Sequence, residues 1–124
     1  EDDEEVRSVA VGFLGKLGYR VLPAAGAAQA LAWVDSGERI DLLFTDVVMR
    51  GDIDGPALAS EATRRRPGLR VVFTSGHAPE TIELLGRRVG AELLAKPYRI
   101  DQLARILRRT LDAPAPGPIT SPGG

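Results

Sequence analysis

The chain has 124 residues, 44% hydrophobic and 27% charged, and its 16 Lys and Arg against 17 Asp and Glu leave a net charge of −1. That is one domain's length with enough apolar material for a core, and no charge surplus to draw nucleic acid or an anionic membrane. The lack of Cys excludes disulfides and thiolate chemistry, while the single histidine, His77, excludes His-rich metal sites and leaves any Ser-His-Asp triad dependent on it alone.

The chain opens on the acidic run EDDEE, whose like charges repel unless water, a helix N-terminus or a cation accommodates them. Val6, Val9, Ala10, Phe13, Leu14 and Leu17 then recur at helical spacing, which predicts an amphipathic helix over 4–17, weakened by Gly12 and Gly15 and ended by Gly18. Asp3, Glu4 and Glu5 fit its cap and first turn. YRVLP (19–23) reads as a short strand stopped by Pro23, and 27–36 as a second helix with Ala27, Ala30, Leu31 and Val34 facing inward. DLLFT (41–45) is nearly continuous in apolar residues, as a strand covered on both faces is. A loop rich in Gly and Asp (49–55) leads to a helix that starts at Pro56 and stops before Pro67. LRVVFTS (69–75) is a second buried strand. A helix is predicted over 80–88, a short strand over 92–95, and a final helix over 100–111 with Ile100, Leu103, Ile106, Leu107 and Leu111 inward. The Pro/Gly-rich segment 113–124 reads as an unstructured tail, leaving 1–112 as the folded domain.

Strands that alternate with helices imply a parallel sheet covered on both faces, an α/β fold whose function gathers at the carboxyl ends of the strands. Strand 41–45 runs into Asp46, strand 69–75 ends in Thr74 and Ser75, and strand 92–95 runs into Lys96 and Pro97. A carboxylate can be a nucleophile or metal ligand, a hydroxyl can bond an incoming oxygen, and an ammonium can pair with an anion. Clustered carboxylates beside a phosphate suit a hard divalent ion, Mg2+ above all.

Together, Glu1-Asp2, FTDVVM around Asp46, Gly55, FTSG (73–76) and LLAKPY (93–98) make the sequence resemble the receiver domain of two-component response regulators. The likeness is greatest to the receivers attached to hybrid sensor histidine kinases, and it spans residues 1 to about 112. The resemblance implies a flavodoxin-like three-layer α/β/α sandwich with sheet order 2-1-3-4-5. It implies that Asp46 accepts a phosphoryl group from a histidine kinase or phosphotransfer domain, so that the isolated domain is a self-phosphorylating switch rather than a conventional enzyme. Mg2+ would be held by Asp2, Asp46 and the Val48 backbone carbonyl, with Glu1 acting beside it. Ser75 matches the switch hydroxyl, Lys96 the lysine that pairs with phosphoryl oxygens, and Pro97 the proline after a cis peptide bond. The implied partners are that kinase or phosphotransfer domain and a second receiver. Neither direct nucleic-acid contact nor membrane contact is expected, and the setting is cytoplasmic.

Three departures from the family qualify the resemblance. The family's first strand, which lies mid-sheet before the acidic pair, is missing from this chain, so strand 19–23 is expected to lack a neighbour and strand 41–45 to have an open edge. That points to a fragment, or to a strand borrowed from another copy. Leu93 stands where a switch aromatic is usual, which argues against a swinging ring there, and Tyr98 is expected to pack near the final helix. The loop after Asp46 carries Arg50 where Pro is frequent, and Gly51, Asp52 and Asp54 are expected to make it mobile. Val48 and His77 hold the positions that tune loss of the phosphoryl group. Val48 cannot bond an attacking water, whereas the His77 imidazole can, and a slow to moderate lifetime is expected.

Arg64 to Arg66 read as a solvated helix end, and Trp33 and Phe13 as packing residues. The alternative readings are a degenerate receiver that acts only as an interaction module, a phosphatase with an Asp nucleophile, and a nucleotide or flavin binder. The second lacks a second Asp two residues after Asp46, where Val48 stands. The third lacks a Gly-rich loop after a strand, since Gly12, Gly15 and Gly18 fall in and at the end of a helix. No DNA-binding module follows residue 112, which favours a stand-alone regulator or a kinase-attached unit.

Overall fold

A computed structural model describes residues 1–48, 54–76 and 91–114. The predicted helix over 80–88, His77, residues 49–53 of the loop and most of the tail lie outside the described residues. Within them, α1 (Glu4–Lys16), α2 (Ala27–Val34), β1 (Leu42–Asp46), α3 (Gly55–Arg65), β2 (Arg70–Ser75), β3 (Glu92–Ala95) and α4 (Ile100–Asp112) follow in chain order. The strands form a parallel three-stranded sheet in the order β1-β2-β3.

Side chains on a strand alternate between faces, and β2 uses both. Val71 and Phe73 point to one side and pack with Val47 and Ala59 of α3, while Val72 points to the other and packs with Leu103, Ile106 and Leu107 of α4. Phe73, Val72 and Leu103 are fully buried, so β2 is the centre of the core. α2 joins on the α3 side through Ala30 against Leu58 and Val34 against Ala62 and Leu69. The Arg66 guanidinium donates to the Val34 carbonyl (2.8 Å) and the Glu38 carbonyl (2.6 Å), so it serves the end of α2 as well as its own helix. Arg64 and Arg65 are exposed and pair with Glu61.

The helix starts follow from local chemistry. The Asp3 carboxylate accepts from the Glu5 and Val6 amides, and the Asp54 carboxylate accepts from the Ala57 amide with Pro56 in the first turn behind it.

Two expectations fail on the α1 side. The predicted strand over 19–23 does not form: it pairs with no strand among the described residues, and its ends bond to helices instead, the Tyr19 amide donating to the Leu14 carbonyl (3.0 Å) and the Pro23 carbonyl accepting from the Trp33 indole (2.9 Å). A cavity of about 590 Å³ separates that segment from β1, lined on one wall by Val11, Val21 and Pro23 and on the other by Leu42 and Phe44. The inward face predicted for α1 is also only half built. Phe13, Leu14 and Leu17 pack toward α4, but Val6 and Val9 are exposed, and α1 contributes no buried residue. Apolar spacing sets which face of a helix is sticky; it does not supply the surface to stick to.

Candidate functional site

Because the three strands run parallel, their carboxyl ends share one edge of the sheet. Asp46 ends β1 in register with Thr74, and Ser75 ends β2 in register with Ala95. One further backbone bond beyond each pairing holds the next residue: the Val47 amide donates to the Thr74 carbonyl (2.9 Å) and the Lys96 amide to the Ser75 carbonyl (2.8 Å). Asp46 and Lys96 are thus carried on hydrogen-bonded backbone rather than on free loop. The peptide bond between Lys96 and Pro97 is cis, as the resemblance implies.

The Lys96 ammonium lies between two carboxylates, 2.9 Å from Asp46 Oδ2 and 2.8 Å from Glu1 Oε1. All three side chains are largely buried, at 24%, 14% and 13% exposure for Lys96, Asp46 and Glu1. Burial works to lower the Lys96 pKa, but the hydrogen bonds and charges of Glu1 and Asp46 together outweigh it, and the ammonium is held above its ordinary value. The site therefore joins groups 50 and 95 positions apart around one cation. Arg7 donates to the Glu1 carbonyl (3.0 Å) and so ties the acidic segment to α1. Asp2 is half-buried beside it.

The other predicted residues fall as follows. Val48 is exposed just past the end of β1. Ser75 is fully buried, and alternation along β2 places it on the face of Val71 and Phe73, toward α3. Leu93 packs into that same cluster as an aliphatic residue. Tyr98 meets Phe13 and Phe44 edge-on at centroid distances of 6.2 and 6.0 Å, on the α4 side as expected. Its phenol pKa is raised, chiefly by burial.

Among the described residues, no three His, Cys, Asp or Glu groups are gathered as a ready metal cage. The donor chemistry nevertheless fits a hard cation, since two carboxylates already converge on a single positive charge.

Gly55 has a steric role that its place in a motif does not reveal. A Cβ there would collide with the Asp46 carbonyl oxygen and lie 2.9 Å from Val47 Cα. Its amide donates to the Val47 carbonyl (2.9 Å). The start of α3 is therefore pressed directly against the backbone that carries Asp46, an approach only glycine permits. The available sequence signal was a glycine directly before a helix-starting proline, but the surface it approaches is 8 to 9 positions earlier.

The sequence profile of the response regulator receiver domain matches residues 1–108. The chain is 32% identical over 117 residues to the sensor kinase CckA of Brucella abortus, a match covering 90% of this chain and 12% of that protein. It is also 32% identical over 114 residues to the response regulator receiver protein CpdR of the same organism, covering 91% of this chain and 93% of CpdR. Among solved structures, the receiver domain of NtrX from Brucella abortus superposes with a TM-score of 0.80 at 33% identity, covering 91% of this chain and 95% of that one.

Proposed function

This chain belongs to the response regulator receiver domain family of two-component signalling, and on that premise we propose that Asp46 is its phosphoacceptor. A carboxylate oxygen of Asp46 attacks the phosphorus of a phosphohistidine or a small acyl phosphate. The bond from phosphorus to the leaving nitrogen or oxygen breaks, and an acyl phosphate remains on Asp46. Such transfer needs positioning and neutralisation of charge more than covalent help. One observation carries the reading: the Lys96 ammonium is 2.9 Å from the Asp46 carboxylate in a largely buried setting, where it can follow the charge onto the phosphoryl oxygens.

Glu1 holds the other side of that ammonium and keeps it aimed at the strand ends. Asp2, Asp46 and the Val48 carbonyl, with Glu1 beside them, are the groups we assign to Mg2+, which when bound neutralises the transferring phosphoryl group. Ser75 is assigned as the hydroxyl that meets the phosphoryl group from the α3 side, and the turn at Pro97 aims Lys96. The proposed donor is a histidine kinase or phosphotransfer domain, and a second receiver is a candidate partner through β3 and α4. The similarity to CckA, a sensor kinase of which the chain spans 12%, supports a phosphorelay setting. No described helix is long and apolar enough to cross a membrane.

The test is to incubate the protein with acetyl phosphate and Mg2+ and read the intact mass. The expected result is a gain of one phosphoryl group, absent without Mg2+ and absent in Asp46→Asn. Equal behaviour of wild type and Asp46→Asn would sink the assignment. It would favour instead a receiver acting only as an interaction module.

A further inference from the structure

The end of β2 offers two hydroxyls, and they face opposite sides of the sheet. Ser75 lies on the α3 face. Thr74 lies on the face of Val72, and it is in register with Asp46, whose own face is that of Phe44 in the same cluster. Thr74 lines the cavity that Asp46, Glu1 and Lys96 also line. It is 5% exposed, and its Oγ1 is buried with no hydrogen-bond partner among the described residues.

A buried hydroxyl without a partner costs about 1–3 kcal/mol, and an isosteric valine would avoid that cost. Such a group is retained against stability, which calls for a use. Neighbouring strands lie about 4.7–4.9 Å apart, which brings the paired Asp46 and Thr74 within reach of a hydroxyl and a carboxylate. A threonine exchanges Oγ1 and Cγ2 by a single χ1 rotation without changing its volume.

We propose that Thr74 is a second positioning hydroxyl for Asp46. Its unsatisfied O–H turns onto the Asp46 side chain when that side chain carries the phosphoryl group, from the face opposite Ser75. The inference rests on the assignment of Asp46 as phosphoacceptor. It adds a contact on the cavity side of the sheet that the switch residues assigned above do not provide. No bond is made or broken by Thr74; it donates one hydrogen bond and thereby orients the acyl phosphate.

The experiment compares wild type, Thr74→Val, Thr74→Ser, Ser75→Ala and Asp46→Asn. Thr74→Val is expected to melt no lower than wild type, yet to take phosphate from acetyl phosphate about tenfold more slowly, the loss expected for one hydrogen bond to a charged group. Thr74→Ser, which keeps the hydroxyl, should restore the rate. In wild type, NMR three-bond couplings at the Thr74 methyl should report a change of χ1 when Mg2+ and beryllium fluoride are added, and no change in Asp46→Asn. Wild-type rates in Thr74→Val, or an unchanged χ1, would overturn the proposal. A rate lost together with melting temperature, and not restored by serine, would equally overturn it as a packing effect. If wild type itself takes no phosphate, the Asp46 assignment falls and the Thr74 proposal falls with it. If wild type does and Asp46→Asn does not, the Thr74 proposal stands or falls alone.

Discussion

On one side of β1 the sheet continues into β2, whose residues Val72 and Phe73 are fully buried between α3 and α4. On the other side β1 has no strand partner among the described residues. Its Leu42 and Phe44 face a cavity of about 590 Å³, and α1 beyond it buries none of its residues completely. Both flanks are made of ordinary apolar sequence, VVF in one and VLP with LLF in the other. The difference lies in whether a neighbouring element closes the space, because dispersion and exclusion of water need partner atoms on every side. The candidate site straddles this boundary: Thr74 and Lys96 are carried on the strand side of β1, Glu1 on the open side and Asp46 on β1 itself, and all four line the cavity.

The contrast is most easily broken by truncating an aromatic on each flank. Phe73→Ala should cost about 3–5 kcal/mol in denaturant unfolding, the range for a large side chain removed from a packed core. Phe13→Ala, on the half-buried side of α1, should cost about 1 kcal/mol, consistent with partial burial of its surface. Equal losses would mean that the two flanks are packed alike.

Gly55→Ala tests the seam between helix and site. Its Cβ would force the Asp46 carbonyl and Val47 away from the start of α3, with a cost of about 1–3 kcal/mol. Phosphorylation of Asp46 should fall as well, because the displaced backbone is the one that carries the carboxylate. Gly12→Ala is the control, since a Cβ there meets nothing within 4 Å. A harmless Gly55→Ala would remove the case for a tight seam.

The smallest effect is expected from pH. Lys96 is held above its ordinary value of 10.5, so the pairing with Glu1 and Asp46 contributes fully below that value. It is lost as pH rises through the raised folded-state value. Tyr98, also raised, acts in the same alkaline direction, so the diagnostic is a difference between proteins. Lys96→Met should be less stable than wild type at neutral pH and should lose less stability as pH passes 10.5. Parallel alkaline curves would show that the bridge across the two flanks contributes nothing to stability.

Much of this arrangement was legible in the residues. The strand β3 fell where predicted, and β1, β2 and the described helices fell within a residue or two, since each is bounded by local signals such as Asp54-Gly55-Pro56, Gly18 or Pro67. Asp46 and Lys96 were identifiable because each directly follows or ends an apolar strand, and parallel strands bring such ends together. Strand 19–23 was misread for a related reason. Its composition suits a strand, but a strand is made by the partner that completes its hydrogen bonds, and the neighbour it was expected to lack is absent among the described residues.

The sequence by itself thus determined the alternating α/β order, the caps that start α1 and α3, and the set of groups available at the strand ends. Those depend on interactions among residues close in the chain, or on periodicity that a single element carries within itself. Only the tertiary structure decided that Glu1 and Asp46 share Lys96, that Gly55 touches the backbone of Asp46, and that Thr74 rather than Ser75 lies on the cavity face. Each of these depends on cross-strand register and on the approach of distant elements, and those are set by packing rather than by local preference.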